Sequence, residues 1–128
     1  MRPALRRHAP WAVAAAMIAL SGASSPADAH AMLTPAAPAV GSALAAPPAA
    51  IRLEFTDEVL ARLSRIGVRD DAGRPVETGP LESPAGAPRV LEVTLPARLA
   101  PGAYRVDWRV VSADGHVTAG DFRFVVRP

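Results

Sequence analysis

The sequence predicts a small all-β domain folded as a β-sandwich or a Greek-key barrel. Short segments in which apolar and polar residues alternate predict strands that are buried on one side. Turn signals rich in proline, glycine and aspartate separate these segments, and the chain holds 14 prolines and 9 glycines. The sequence shows no convincing amphipathic helix. Several short strands with frequent turns are typical of these two all-β architectures.

The first 29 residues are predicted to form a cleavable signal peptide rather than part of this domain. Three arginines precede an apolar stretch, Trp11–Leu20, and Ala27-Asp-Ala29 then matches an A-x-A cleavage pattern. An apolar stretch of about ten residues is too short to span a bilayer, which needs about 20. The pattern leaves open whether export is twin-arginine or general secretory. Cleavage leaves residues 30–128 as one domain, which begins with the free α-amine of His30.

Residues 30–50 are interpreted as an N-terminal lead-in rich in proline and alanine. Prolines at this density exclude a helix and favour extended or turn conformations. The segment is therefore either a disordered linker or an extended arm that packs on the domain through Val40 and Leu44.

Five segments carry the strand pattern. They are Ile51–Phe55, Leu63–Arg69, Val90–Leu95, Tyr104–Val110 and Asp121–Val126. A turn at 70–73 ends the second segment, and Pro101-Gly102 marks a tight turn before the fourth. A short, weak segment begins at Val76, and Gly79–Pro88 is a loop. The apolar positions of each strand are expected to face a common core.

The composition of the mature domain excludes several classes of function. The net charge of +2 comes from the signal peptide, because residues 30–128 hold equal numbers of acidic and basic residues that alternate in sign. The domain therefore lacks the basic character of a nucleic-acid or polybasic membrane-binding protein. The absence of cysteine excludes thiolate catalysis, zinc fingers, iron–sulfur clusters and cysteine-ligated blue copper.

The segment Val111–Gly120 holds a candidate pair of metal-binding side chains, Asp114 and His116. They are two residues apart, so both side chains point to one side if the backbone is extended. Gly115 between them permits a bend that brings them together. The two groups can orient each other or share a metal. Alternatively, Asp-Gly is an ordinary hairpin turn and the histidine is merely solvated.

Two segments together resemble the CopC family of exported copper-binding proteins. They are His30-Ala-Met-Leu33 at the cleavage site and Ser112-Ala-Asp-Gly-His116 before the last strand. The residues 53–59 resemble the family's L-x-F-S-E-P-V strand, with Glu58 in place of proline. The residues 101–112 resemble its P-x-G-x-Y-x-V-x-W-x-x-x-S segment. The resemblance covers essentially all of residues 30–128.

The resemblance implies a cupredoxin-like or immunoglobulin-like Greek-key β-barrel with one copper(II) site. Its ligands would be the α-amine and imidazole of His30, the carboxylate of Asp114 and the imidazole of His116. Nitrogen and oxygen donors in this number suit Cu²⁺. The family also implies a periplasmic protein of copper homeostasis or resistance that delivers copper to an inner-membrane transporter of the CopD type. A monomer is expected.

Two departures from the family narrow the prediction to a copper(II)-only protein. Many members have His-Ala-His at the start, where this chain has Met32 in the third position. Other members carry a methionine-rich segment, whereas Met32 is the sole methionine after cleavage and is expected to pack on the barrel. One thioether is too few for a Cu⁺ site.

Two other classes of function remain as alternatives. A metal-free immunoglobulin-like structural or adhesion module fits the composition alone. A histidine-brace copper oxidoreductase would also use a terminal histidine, but the domain offers no aromatic sugar platform, and no enzyme is expected. Asp57 and Glu58 do not form an acid–base pair, because neighbours on a strand face opposite ways.

Overall fold

The computed structural model describes residues 31–128, which form seven β-strands and one 3₁₀ turn. The strands are β1 Leu33–Ala37, β2 Ala43–Leu44, β3 Ala50–Phe55, β4 Arg65–Asp70, β5 Val90–Thr94, β6 Gly102–Val111 and β7 Val117–Val126, and the 3₁₀ turn is Ala61–Leu63. The all-β prediction is confirmed. The predicted signal peptide and His30 lie outside the described residues. No helix within 31–128 is long and apolar enough to cross a membrane.

The strands form two sheets between which the chain passes repeatedly. One sheet has the order β1-β3-β5, and the other has the order β2-β7-β6-β4, in which the short β2 runs parallel to β7. Consecutive strands from β1 to β6 alternate between the sheets, and only β6 and β7 are joined as a hairpin within one sheet. This alternation gives the predicted Greek-key barrel-like sandwich.

The core lies between the two sheets and follows directly from the alternation in the sequence. Ile51, Leu53 and Phe55 of β3 are buried against the inward side chains of β6 and β7. Phe55 meets Trp108 edge to face with ring centroids 5.3 Å apart. Because the strands β3 to β7 contribute alternate apolar residues, the domain builds its core without a disulfide.

The lead-in is part of the sandwich, so its interpretation as a disordered linker is wrong. Its strand β1, which contains Pro35, lies at an edge of the three-stranded sheet, where a missing backbone N–H is tolerated. The predicted packing of Leu44 is confirmed, since it contacts the core. The predicted packing of Val40 is wrong, because this side chain is 61% exposed at a turn in which Ser42 N–H donates to Ala39 O.

Two predicted strand boundaries are also wrong. Leu63 belongs to the exposed 3₁₀ turn, and β4 starts only at Arg65. The last strand begins at Val117 rather than Asp121 and pairs with β6 over its whole length. The sequence pattern does not reveal the first residues of β7, because Gly120 stands where an apolar residue would be expected. A Cβ at Gly120 would lie 2.6 Å from Cζ2 of Trp108. The inward position opposite the tryptophan therefore needs glycine, and the apolar pattern is interrupted.

The predicted turn at residues 70–73 is confirmed and is held by one carboxylate. Asp70 Oδ1 accepts hydrogen bonds from the backbone N–H groups of Ala72 (3.0 Å) and Arg74 (2.9 Å). Gly73 has φ +77°, a left-handed conformation that glycine adopts without a steric cost. The turn closes the end of β4 far from the β6–β7 hairpin.

Candidate metal centre

The β6–β7 hairpin is closed by a three-residue connection between Ser112 and His116. Ser112 N–H donates to His116 O, and Gly115 N–H donates to Ser112 O, both at 2.9 Å. Gly115 has φ +88°, which three-residue hairpin loops require at their last position. The bend predicted at Gly115 is therefore confirmed, and the backbone between Asp114 and His116 is not extended.

Within this hairpin the side chains of Asp114 and His116 contact each other. His116 Nδ1 lies 2.9 Å from Asp114 Oδ2. The side chains are 36% and 54% exposed respectively, so solutes can reach them. The convergence predicted from the two-residue spacing is confirmed. A carboxylate in this position fixes the orientation of the imidazole ring.

Ser112 is hydrogen-bonded to Asp114 of this pair. The sequence did not predict a functional role for Ser112. Ser112 is completely buried, and its hydroxyl donates a hydrogen bond to Asp114 Oδ1. The pKa of Asp114 is lowered from 3.8 to about 2. The hydrogen bond from Ser112 is the main cause, and the hydrogen bond from His116 is the second. The sequence does hold a signal for this role. Every second residue of β6 from Tyr104 to Val110 faces the core, and Ser112 is the next position in this series but is polar.

Replacing Ser112 by alanine is expected to raise the pKa of Asp114 from about 2 toward 3.8. A depressed carboxylate pKa stabilises the fold above pH 3.8, and this contribution is lost as the pH falls through about 2. The variant should therefore be less stable than the unaltered protein at neutral pH, and this difference should disappear as the pH falls through about 2. NMR titration of the Asp114 side-chain carbon measures the pKa directly. Ser83→Ala, which removes a hydroxyl bonded to Ala87 O, is the matched control.

The start of the described chain is fastened next to this hairpin. Ala31 is buried, and its carbonyl oxygen accepts a hydrogen bond from Thr118 Oγ1 at 2.8 Å. Thr118 lies only two residues after His116. Met32 and Thr56 exchange hydrogen bonds, from Met32 N to Thr56 Oγ1 and from Thr56 N to Met32 O, both at 2.9 Å. The predicted packing of Met32 is wrong, because its side chain is 64% exposed.

His30 lies outside the described residues, but its chain position is informative. Its chain neighbour Ala31 is the buried residue whose backbone oxygen is bonded to Thr118. Residues 31–128 contain no group of three or more histidine or carboxylate side chains that could hold a metal.

Asp57 and Glu58 contribute to the structure of the same end of the domain. They follow β3 in a bend, so the argument from strand geometry does not apply to them. Asp57 Oδ1 accepts the backbone N–H of Glu58 at 2.9 Å, and Glu58 O accepts the N–H of Ala113 at 2.9 Å. These contacts tie the bend to the hairpin.

Comparison with known proteins supports a single assignment. The CopC domain model matches residues 33–127. Protein YobA of Escherichia coli K12 is 37% identical over 99 residues, covering 77% of this chain and 80% of that protein. Copper resistance protein C of Pseudomonas syringae pv. tomato is 35% identical over 109 residues, covering 81% and 86%. The crystal structure of CopC from Methylosinus trichosporium OB3b aligns with a TM-score of 0.73 and 36% identity, covering 77% of this chain and 95% of that one.

Proposed function

The chain belongs to the CopC family, and from this premise we propose that it is an exported copper(II)-binding protein that sequesters or carries copper for homeostasis or resistance. The name of the Pseudomonas syringae relative, copper resistance protein C, supports this function. The observation that carries the proposal is the contact between Asp114 and His116 beside the anchored Ala31.

The proposed ligands are the α-amine and imidazole of His30, the carboxylate of Asp114 and the imidazole of His116. Since Nδ1 of His116 contacts Asp114, Nε2 is the nitrogen through which this ring would bind the ion. With a pKa of about 2, Asp114 is ionised at neutral pH and offsets one of the two charges of Cu²⁺. The imidazoles and the amine must be deprotonated to bind, so acid weakens copper binding.

The donor set favours Cu²⁺ over Cu⁺. The proposed donors are nitrogen and oxygen atoms, which suit Cu²⁺, and Cu²⁺ has the highest affinity among divalent first-row metals. The chain has no cysteine, and Met32 is the sole methionine beyond the predicted cleavage site. We therefore infer a copper(II)-only protein.

The proposed site of action is the periplasm, after removal of residues 1–29. The protein would act as a monomer and pass Cu²⁺ to an inner-membrane transporter of the CopD type. The exposure of Asp114 and His116 supports such a transfer, because a partner can reach both side chains.

We propose that the protein is a carrier rather than an enzyme. All five aromatic residues of 31–128 are buried: Phe55, Tyr104, Trp108, Phe122 and Phe124. A histidine-brace oxidoreductase acting on polysaccharide needs a surface beside its metal that holds the sugar. The described surface has no aromatic platform beside the hairpin.

Titration of the processed protein with Cu²⁺ tests this function. We expect one tightly bound ion per chain with a tetragonal electron paramagnetic resonance spectrum showing nitrogen couplings. Absence of binding by protein that begins at His30 would instead support the metal-free immunoglobulin-like module. Oxygen-dependent cleavage of a polysaccharide in the presence of reductant would support the oxidoreductase.

A further inference from the structure

The outer face of the four-stranded sheet carries three arginines side by side, here called the arginine row. Arg69 of β4 pairs with Arg105 of β6, and Arg105 pairs with Arg123 of β7. All three residues are exposed. Directly opposed residues on antiparallel strands have Cβ atoms about 4.5–5.5 Å apart, and like charges there are destabilising. Acidic and basic residues alternate along the sequence, but the pairing of the three strands places these three arginines next to one another.

The domain neutralises this row only in part. Asp121 Oδ2 lies 3.1 Å from the guanidinium of Arg105, and Arg69 donates to the backbone oxygen of Gly73 at 3.0 Å. Within residues 31–128 no ion pair involves Arg123. At least one guanidinium group of the row therefore keeps its donors available for an external anion.

The arginine row borders a cavity of about 160 Å³. Asp70, Asp71 and Gly73 of the turn at residues 70–73 belong to its wall, and Ala103 also lines it. Asp70 in this wall directs its carboxylate into its own turn and to Arg74 Nε at 3.2 Å. Asp71 is the other carboxylate in the lining. The lining holds three arginines and two acids, and Arg105 is paired with Asp121 beside it, so the positive charge of the cavity comes from Arg69 and Arg123.

We propose that the arginine row binds a phosphate group, carried either by inorganic phosphate or by an anionic phospholipid headgroup. Guanidinium groups present paired N–H donors that match phosphate oxygens, and each such charge-assisted contact is stronger than a neutral hydrogen bond. A carboxylate has two oxygens and matches one guanidinium fork. Inorganic phosphate has four oxygens and can engage several forks of the row at once, whereas the phosphodiester of a lipid headgroup offers two non-bridging oxygens on a tetrahedral centre.

The arginine row is separate from the candidate metal centre. Arg105 precedes Ser112 by seven residues along β6, which corresponds to about 24 Å of strand. The row also lies on the outer face of the sheet, whereas Ser112 lies on the inner face. Phosphate binding therefore does not depend on the proposed copper function, and loss of one should leave the other intact.

Arg123→Gln and Arg65→Gln form a matched pair of variants for the test. Both remove one positive charge from the outer face of the same sheet, but Arg65 pairs with Arg109 outside the row. Binding of inorganic phosphate is measured by NMR against chloride at equal ionic strength. Binding to phosphatidylglycerol vesicles is measured by cosedimentation against phosphatidylcholine vesicles.

We expect Arg123→Gln to weaken the binding of phosphate by about tenfold, the effect of one lost charge-assisted contact, while Arg65→Gln binds like the unaltered protein. A selective loss seen with inorganic phosphate identifies the free ion as the ligand. A selective loss seen only with phosphatidylglycerol vesicles identifies the lipid headgroup. Equal weakening in both variants would show that net charge alone is responsible and would overturn the proposal. So would an unaltered protein that binds neither probe.

Discussion

Replacing His116 by alanine is expected to abolish tight Cu²⁺ binding while the fold stays intact. The variant removes an imidazole donor and leaves Asp114 without the group that it orients. Loss of an outer-shell partner alone typically costs about 10–100-fold in metal affinity, so loss of a proposed ligand should cost more. Competition titration with a Cu²⁺ chelator measures the change.

The hairpin itself should survive this substitution. Its closing bonds run between backbone atoms of Ser112, Gly115 and His116, and the His116 side chain is 54% exposed. Circular dichroism and thermal unfolding should therefore match those of the unaltered protein. Arg109→Ala, which removes an exposed side chain from the neighbouring strand β6, serves as the control and should bind copper normally. Unchanged copper affinity in a folded His116→Ala protein would remove His116 from the site.

The architecture was predictable because each main strand alternates apolar and polar residues. Tyr104, Val106, Trp108 and Val110 of β6 all face the core as the pattern indicates. The onset of β7 was not predictable, because the position opposite Trp108 must be glycine to admit the indole ring. Its strand partner decides that residue, and no local pattern in the sequence records the pairing.

The candidate site was predictable in part for the same reason. The spacing of Asp114 and His116 around Gly115 is local, and a local pattern can reveal their convergence. The support from Ser112 and the anchor between Thr118 and Ala31 depend on burial and on contacts across the sheets. The exposure of Met32 was not predictable from local sequence either, because an isolated apolar residue is expected to be buried.

An N-terminal extension before His30 is expected to weaken Cu²⁺ binding as strongly as the loss of His116. A peptide bond at His30 converts the proposed amine ligand into an amide nitrogen, which is neutral and a poor donor. The fold should not change, because the contact that fastens the start of the domain does not involve the extension. It is the hydrogen bond from Thr118 to the backbone oxygen of Ala31. A short Gly-Ser extension joined through a protease site provides its own control, since cleavage regenerates the native end.

The most direct test of the proposed copper site is therefore the affinity for Cu²⁺ of one protein sample before and after this cleavage. We predict weak binding before cleavage, with an altered electron paramagnetic resonance spectrum, and tight stoichiometric binding once His30 is the first residue. The change should exceed about 10–100-fold, the range for the loss of an outer-shell partner. Equal affinity and identical spectra before and after cleavage would contradict a site built on the His30 α-amine.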